Sequence, residues 1–292
     1  MQANAIFSEE LLDNESLFQD AFFKRFELQR RNSPLQLTDD ISKDYRFPTF
    51  YGDASCAIAI FHCDYEAAKA ILPHPSMQPV KMTRGRSLVI FSCYEYRNVM
   101  NVAPYNEIAM TIPVVVDGAM NIPVLTMLAG DKLNNFGYHV FHMPVTSLEN
   151  RIRGRKIWGL PKDLETIEIT KEGDTSNIKA SAPGKPPYIE LNIPTTGSTQ
   201  EFDVSSNLYS VLDGQRLKSE TNFKSSFAIN KNIKTLLTKS KPVQQEGAGA
   251  GLKLGAGPIA DKLRTLEIEE EAFQYRYTPS MNACFDLPKD LK

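Results

Sequence analysis

"NEIAMTIPVVVDG", residues 106–118, decides the fold. The run is apolar, rich in strand formers, and ends in a turn signal, Asp117-Gly118. Upstream lie two runs of the same texture, "RSLVIFSCYEY" (86–96) and "CAIAIFHCD" (56–64). Between them "YEAAKAILP" (65–73) reads as a short helix stopped by Pro73. Downstream come "MNIPVLTML" (120–128), "YHVFHMPV" (138–145) and "LETIEITKEGD" (164–174), the last with Ile167 and Ile169 in alternation. "TSNIKASAPG" and "PYIELNIP" extend the series. Short strands punctuated by Gly, Pro, Asn and Asp predict a mainly β, mainly antiparallel sheet, most simply one curled into a barrel.

The rest of the chain narrows the function classes. At 292 residues and 42% hydrophobic content it can bury one large core or two small ones. A net charge of −2, with acids and bases mixed, argues against a nucleic-acid or polybasic membrane partner. Cys56, Cys63, Cys93 and Cys284 form no Cys-x-x-Cys pair, so we expect buried, reduced thiols rather than a zinc site or a disulfide framework. "MQANAIFSEELLDNE" lacks the basic and apolar regions of a signal peptide. No apolar run reaches the ~18 residues of a membrane span. The expectation is a soluble, cytoplasmic protein.

Two flanking regions complete the reading. Residues 8–31 predict an amphipathic helix, with Ser8 as N-cap and Leu11, Phe18, Phe22 and Phe26 on one face. Residues 1–45 then form an N-terminal helical extension, and 46–292 the barrel domain. "EGAGAGLKLGAGP" (246–258) lacks the Gly-Lys-Ser/Thr ending of a phosphate loop and reads as a turning connection. The basic stretch before it, "KNIKTLLTKSKP", reads as solvated.

The chemistry concentrates in "GRKIWGLPKDL" (154–164). A lysine amine can attack a carbonyl and form an imine, an electron sink that permits loss of CO2 or of a proton from the adjacent carbon. Attack needs the free amine, whose ordinary pKa of ~10.4 must fall through burial or a neighbouring cation. The stretch supplies apolar walls in Ile157, Trp158 and Leu160, and cations in Arg155 and Lys156, around Lys162.

This motif resembles the signature of the acetoacetate decarboxylase family, whose decarboxylase is a standing example of a lysine activated by a second cation. Three further stretches are similar in the same order: "AIAIFHCDYEAAKAILPHP", "PYNEIAMTIPVVVDG" and "GAGPIADKLRTLEIEEEAFQYRY". Together they span roughly residues 47–278. The resemblance implies a cone-shaped antiparallel β-barrel with a few peripheral helices, homo-oligomerisation, and no metal or organic cofactor. It places the Schiff-base nucleophile on Lys162 and a proton-handling or substrate-orienting carboxylate on Glu107, beside Tyr105. Arg155, Trp158 and Tyr105 become expected substrate contacts. An inward Glu107 at the start of an apolar strand would be costly unless used or paired.

The chain departs from the family pattern at several positions. Asp163 stands where the decarboxylases carry a second lysine, and a nearby carboxylate would raise the amine's pKa. Ala54 aligns with the family's carboxylate-binding arginine. A second pocket glutamate falls near Phe91 or Ser92, with Glu95 close but out of register. These departures favour an oxo acid other than acetoacetate, larger or more apolar. His139 and His142, three apart on a strand, are expected on opposite faces and share no metal. One of them could face the interior as a proton carrier. The expected activity is therefore a decarboxylase-like lyase on a small-molecule oxo acid. Schiff-base aldolase or dehydratase chemistry, and a non-catalytic binding barrel that pairs Asp163 with Lys162, stand as alternatives.

Overall fold

The computed structural model describes residues 12–31, 33–243 and 251–291. In chain order its principal elements are β1 (Thr49–Asp64), α1 (Tyr65–Ala70), β2 (Arg86–Val99), β3 (Tyr105–Val116), β4 (Phe136–Val145), α2 (Leu148–Trp158) and β5 (Lys162–Leu164). There follow β6 (Thr166–Glu172), β7 (Thr175–Ser181), β8 (Ile189–Pro194), β9 (Ser198–Leu212), β10 (Gln215–Lys231), β11 (Leu252–Leu254), α3 (Pro258–Thr265) and β12 (Ala272–Phe285).

Seven strands close a barrel in the order β4-β9-β10-β12-β1-β2-β3, and β3 pairs back onto β4. Every pairing in the ring is antiparallel except β4–β9, a parallel seam with Leu208 opposite Tyr138. Side-chain alternation explains why the first strands read as unbroken apolar runs. On β1, Cys56, Ile58 and Ile60 face the interior, while Ala57, Ala59 and Phe61 pack in a second core outside the ring. On β2, Tyr94 and Ser92 face in, and Phe91 and Cys93 join the outer core.

A separate antiparallel sheet, β6-β7-β8-β11, covers that outer face. Its Ile167, Ile178, Leu191 and Leu252 bury against the barrel together with Ala68 of α1 and Leu263 of α3. Each Ile or Leu among them contributes roughly 1.5–3 kcal/mol of burial, and both faces of the early strands are covered. All four cysteines are free and buried, as expected. No helix among the described residues is long and apolar enough to cross a membrane.

Three expectations need correction. Residues 12–31 form no continuous helix: Glu15–Leu17 and Phe23–Arg25 are 3-10 turns, and Gln29–Arg30 pairs with Arg46–Phe47. Asp20 accepts a hydrogen bond from the Phe22 amide at 2.7 Å, a local bond that competes with a helical run. Of the expected stripe, Phe18 and Phe22 are buried and Phe26 half-buried, while Phe23, which lay off it, is buried with them against Phe50, Met100 and Cys284. Ser8 and Leu11 lie outside the described residues. The 120–128 stretch is a loop with a helical turn at Leu125–Leu128, not a strand. Within 246–258, Leu252–Leu254 is a paired strand and Pro258 opens α3. Residues 244–250 lie outside the described residues.

Candidate functional site

α2 and the turn after it set the position of Lys162. Ser147 caps the helix by accepting from the Asn150 amide at 3.2 Å. Glu149, in the first turn, is buried and accepts from Tyr45 and, at 3.0 Å, from Lys43. Arg153 donates to Thr49 Oγ1 at 2.9 Å and lies 4.3 Å from the centre of the Tyr45 ring, tying the helix to β1. Gly159 ends the helix in the left-handed region at φ 61°, where a side chain would also strike the Val211 carbonyl. Leu160 N then bonds Gly154 O at 3.0 Å, and Met143 N bonds Pro161 O at 3.1 Å, which starts β5 alongside β4.

The aliphatic stem of Lys162 lies directly on Gly154. A Cβ at that position would sit 2.6 Å from Lys162 Cε and closer still to Cδ. The glycine of the motif is therefore the groove through which the lysine reaches the barrel. Its amine donates to Glu107 Oε2 at 2.6 Å, and both side chains are almost fully buried, at 7% and 5% exposure. The centre of the Tyr105 ring is 5.9 Å from Nζ. The Tyr96 hydroxyl lies 3.5 Å from the other Glu107 oxygen.

Lys162 and Glu107 stand in the wall of a barrel cavity of about 210 Å³. Tyr94 and Tyr96, stacked at 5.1 Å, line it on one side, and Phe202, Phe223 and Phe227 on the other. Burial pushes the phenols of Tyr94, Tyr96 and Tyr105 well up, with the Glu107 charge adding to it. Burial likewise moves Tyr51 to about 12, against the pull of Arg153. These hydroxyls are neutral at physiological pH, and that of Tyr96 points to Glu107. Burial also raises the Cys56 thiol, which leaves it unreactive.

The expected site residues thus divide. Lys162, Glu107 and Tyr105 come together. Arg155 and Trp158 do not line the cavity. Arg155 is half-exposed and clamps the strand from outside, donating to the Lys162 carbonyl at 2.6 Å and to Asp163 at 2.5 Å. Trp158 is buried against Phe285 at 4.9 Å and donates to the Asp286 carbonyl at 2.8 Å.

Asp163 points away from the amine, because successive strand residues face opposite sides. Its carboxylate meets Arg155 and, 4.0 Å away, His142 Nδ1. Neither histidine lines the cavity. His139 bonds the Tyr209 carbonyl through Nδ1 at 3.1 Å, and burial lowers its pKa to about 4. His142 Nε2 instead lies 3.6 Å from Glu165.

Ala54 is buried in β1 between Tyr96 and Met281. Ser92 lines the cavity where the second carboxylate was sought, and Glu95 is engaged by Ser55 and Arg97. Two features were missed in the sequence. The β9–β10 hairpin supplies a whole side of the cavity, and its signal was Asp213-Gly214, a two-residue turn with positive φ at both positions. Arg276 of β12 also lines the cavity. Its signal was the alternation in "FQYRYT", which sets Gln274, Arg276 and Thr278 against Phe273, Tyr275 and Tyr277.

The family model for Acetoacetate decarboxylase (ADC) matches residues 32–282, and the chain belongs to that family. Among solved structures it is similar to the acetoacetate decarboxylase (ADC) from Legionella pneumophila subsp. pneumophila str. Philadelphia 1, at 15% identity and a TM-score of 0.57, covering 84% of this chain and 87% of that one. It is similar to the enduracididine biosynthesis enzyme MppR complexed with pyruvate, at 13% identity and a TM-score of 0.59, covering 89% and 98%. An acetoacetate decarboxylase-like enzyme from Sphingomonas wittichii RW1 matches at 13% identity and a TM-score of 0.50, covering 88% and 94%. At these identities the likeness is one of fold. No match was found among curated protein sequences.

Proposed function

We propose that this chain is a lyase that acts on an oxo acid through an imine on Lys162, with Glu107 as its proton-handling partner. The observation that carries the reading is the buried Lys162–Glu107 pair, 2.6 Å apart, in the wall of an apolar cavity. A buried ion pair is weak support for stability, since apolar side chains of similar volume often do as well or better. A pair retained on a cavity wall fits use in chemistry. Asp163, the feature that favoured a non-catalytic binding barrel, pairs with Arg155 instead of Lys162.

In the proposed reaction Glu107 accepts a proton from the amine, and Nζ attacks the carbonyl carbon. The oxygen takes a second proton from the attacking nitrogen and the first back from Glu107, and leaves as water. The resulting iminium faces the Glu107 carboxylate. Electrons from an adjacent bond then move toward nitrogen. Loss of CO2 from the carbon next to the iminium, or of a proton from it to Glu107, leads to an enamine. Reprotonation at carbon and hydrolysis of the imine restore Lys162. The sequence as written uses no organic cofactor. Tyr96 and the Tyr105 ring flank the pair, and Arg155 holds the strand that carries Lys162.

The first reading of the carbon–carbon step is decarboxylation. An aldolase or dehydratase exit is the second. It is favoured by the absence of a guanidinium at Ala54 and by the fold likeness to MppR, also solved complexed with the condensation product of pyruvate and imidazole 4-carboxaldehyde. The test is reductive trapping with β-keto and 2-oxo acids followed by mass mapping. An acid-dependent adduct on Lys162, lost in Lys162→Ala, is expected. Full turnover of a confirmed substrate by Lys162→Ala would exclude the imine.

A further inference from the structure

Among the described residues that line the cavity, Arg276 is the only cation besides Lys162. It enters from β12, three strands around the ring from β3, which carries Glu107. At about 4.8 Å per strand, roughly 14 Å of wall separates the two strands. In a ring of seven that is nearly the opposite side. The register fixes the level: Arg276 is opposite Ile58 on β1, Ile58 opposite Ser92 on β2, and Ser92 opposite Ala109 on β3, two residues along from Glu107. Arg276 is held in place by Gln274, at 3.1 Å from its Nη2, and by the Phe202 ring, 5.2 Å from its Cζ. The wall between is mostly apolar and aromatic, with Cys56, Ile58 and Tyr94 beside Ser92.

The cavity therefore has two poles. One offers an amine to a carbonyl, beside a carboxylate that repels an anion. The other offers a planar guanidinium, the donor geometry suited to a carboxylate. We infer that Arg276 binds the carboxylate of an oxo acid whose reacting carbonyl lies at Lys162, with an apolar segment of the substrate spanning the space between. This rests on the imine reading and names its substrate class. It also has a chemical consequence. With an apolar segment between carbonyl and carboxylate, the carboxylate at Arg276 is not on the carbon next to the iminium and so is not the group lost there. The enamine then arises by transfer of an α-proton to Glu107, which favours the second exit, condensation, cleavage or dehydration, over decarboxylation.

The test uses the full chain and a series of methyl-ketone acids: acetoacetate, 4-oxopentanoate, 6-oxoheptanoate and 8-oxononanoate, each beside a neutral ketone of equal length. Cyanoborohydride reduces the iminium by hydride transfer to its carbon, and the Lys162 adduct is quantified by mass spectrometry. Trapping efficiency relative to the neutral ketone is expected to peak at one of the longer acids. In Arg276→Gln that ratio should fall at least tenfold, about 1.4 kcal/mol, and Arg276→Lys should recover part of it. Thermal unfolding of both variants separates this from a folding defect. An acid-to-ketone ratio unchanged in Arg276→Gln, with adducts still forming on Lys162, would overturn the Arg276 assignment and leave the imine intact. A ratio highest for acetoacetate would overturn it too. Absence of any Lys162 adduct across the series would overturn the imine reading and this inference together.

Discussion

Gly154→Ala offers a direct way to separate helix propensity from packing at the site. In an isolated helix the change stabilises by about 1 kcal/mol. Here the new Cβ would stand 2.6 Å from Lys162 Cε. Ordinary carbon–carbon contact begins near 3.5 Å, so the stem must retreat by about 1 Å. Overpacking of this kind costs about 1–3 kcal/mol. The net effect on stability is a loss of about 0–2 kcal/mol, or at most a few degrees in Tm for a chain of this size. The effect on chemistry is larger. A 2.6 Å bond from Lys162 to Glu107 lengthened by about 1 Å no longer qualifies as a hydrogen bond. Misplacement of a reacting group by that distance costs on the order of 100-fold. The assay pairs urea unfolding with the rate of reductive adduct formation on Lys162. A variant that gains about 1 kcal/mol and traps at the wild-type rate would refute the packing account of Gly154.

Three other outcomes follow from the geometry. Lys162→Ala leaves Glu107 buried without its partner and should cost about 3–5 kcal/mol, whereas Lys162→Met combined with Glu107→Leu should be near neutral; equal losses in urea unfolding would show that the pair is structural. Asp163→Asn should change the trapping rate less than about fivefold, since a half-exposed pair is worth about 0–1 kcal/mol and its carboxylate faces away from the amine; a larger change would restore Asp163 to the site. His139, with a folded pKa of about 4 against 6.5, binds its proton more readily when unfolded. Stability should therefore be full above pH 6.5 and fall as pH drops toward 4, by about 3 kcal/mol. His62, lowered to about 3 by burial and Arg86, acts in the same direction. Unfolding of His139→Gln across pH 4–7 should be flatter than wild type, and an identical slope would remove His139 from the account.

The early strands could be read in the sequence because both their faces are buried, so their apolar runs are continuous. The β9–β10 hairpin could not be read that way. Its inner face carries Phe202, Phe223 and Phe227 among polar residues, and its outer face meets water, so hydrophobicity alone is diluted. The 8–31 stripe picked out Phe18 and Phe22 as buried but missed Phe23 and the backbone, because turns bring Phe22 and Phe23 together toward Phe50, which a helical face would not.

By itself the sequence determined the barrel class, the family motif and the lysine that lines the cavity, since these are written in local alternation and in one contiguous stretch. Three things were decided only by tertiary structure. Asp163 faces out and pairs with Arg155. Glu107 reaches Lys162 from 55 positions away in the chain. Arg276, not a residue at Ala54, supplies the cavity's second cation. The reason is physical: closing a sheet into a ring brings strands distant in sequence to a common interior, and no local pattern records which side chains will meet there.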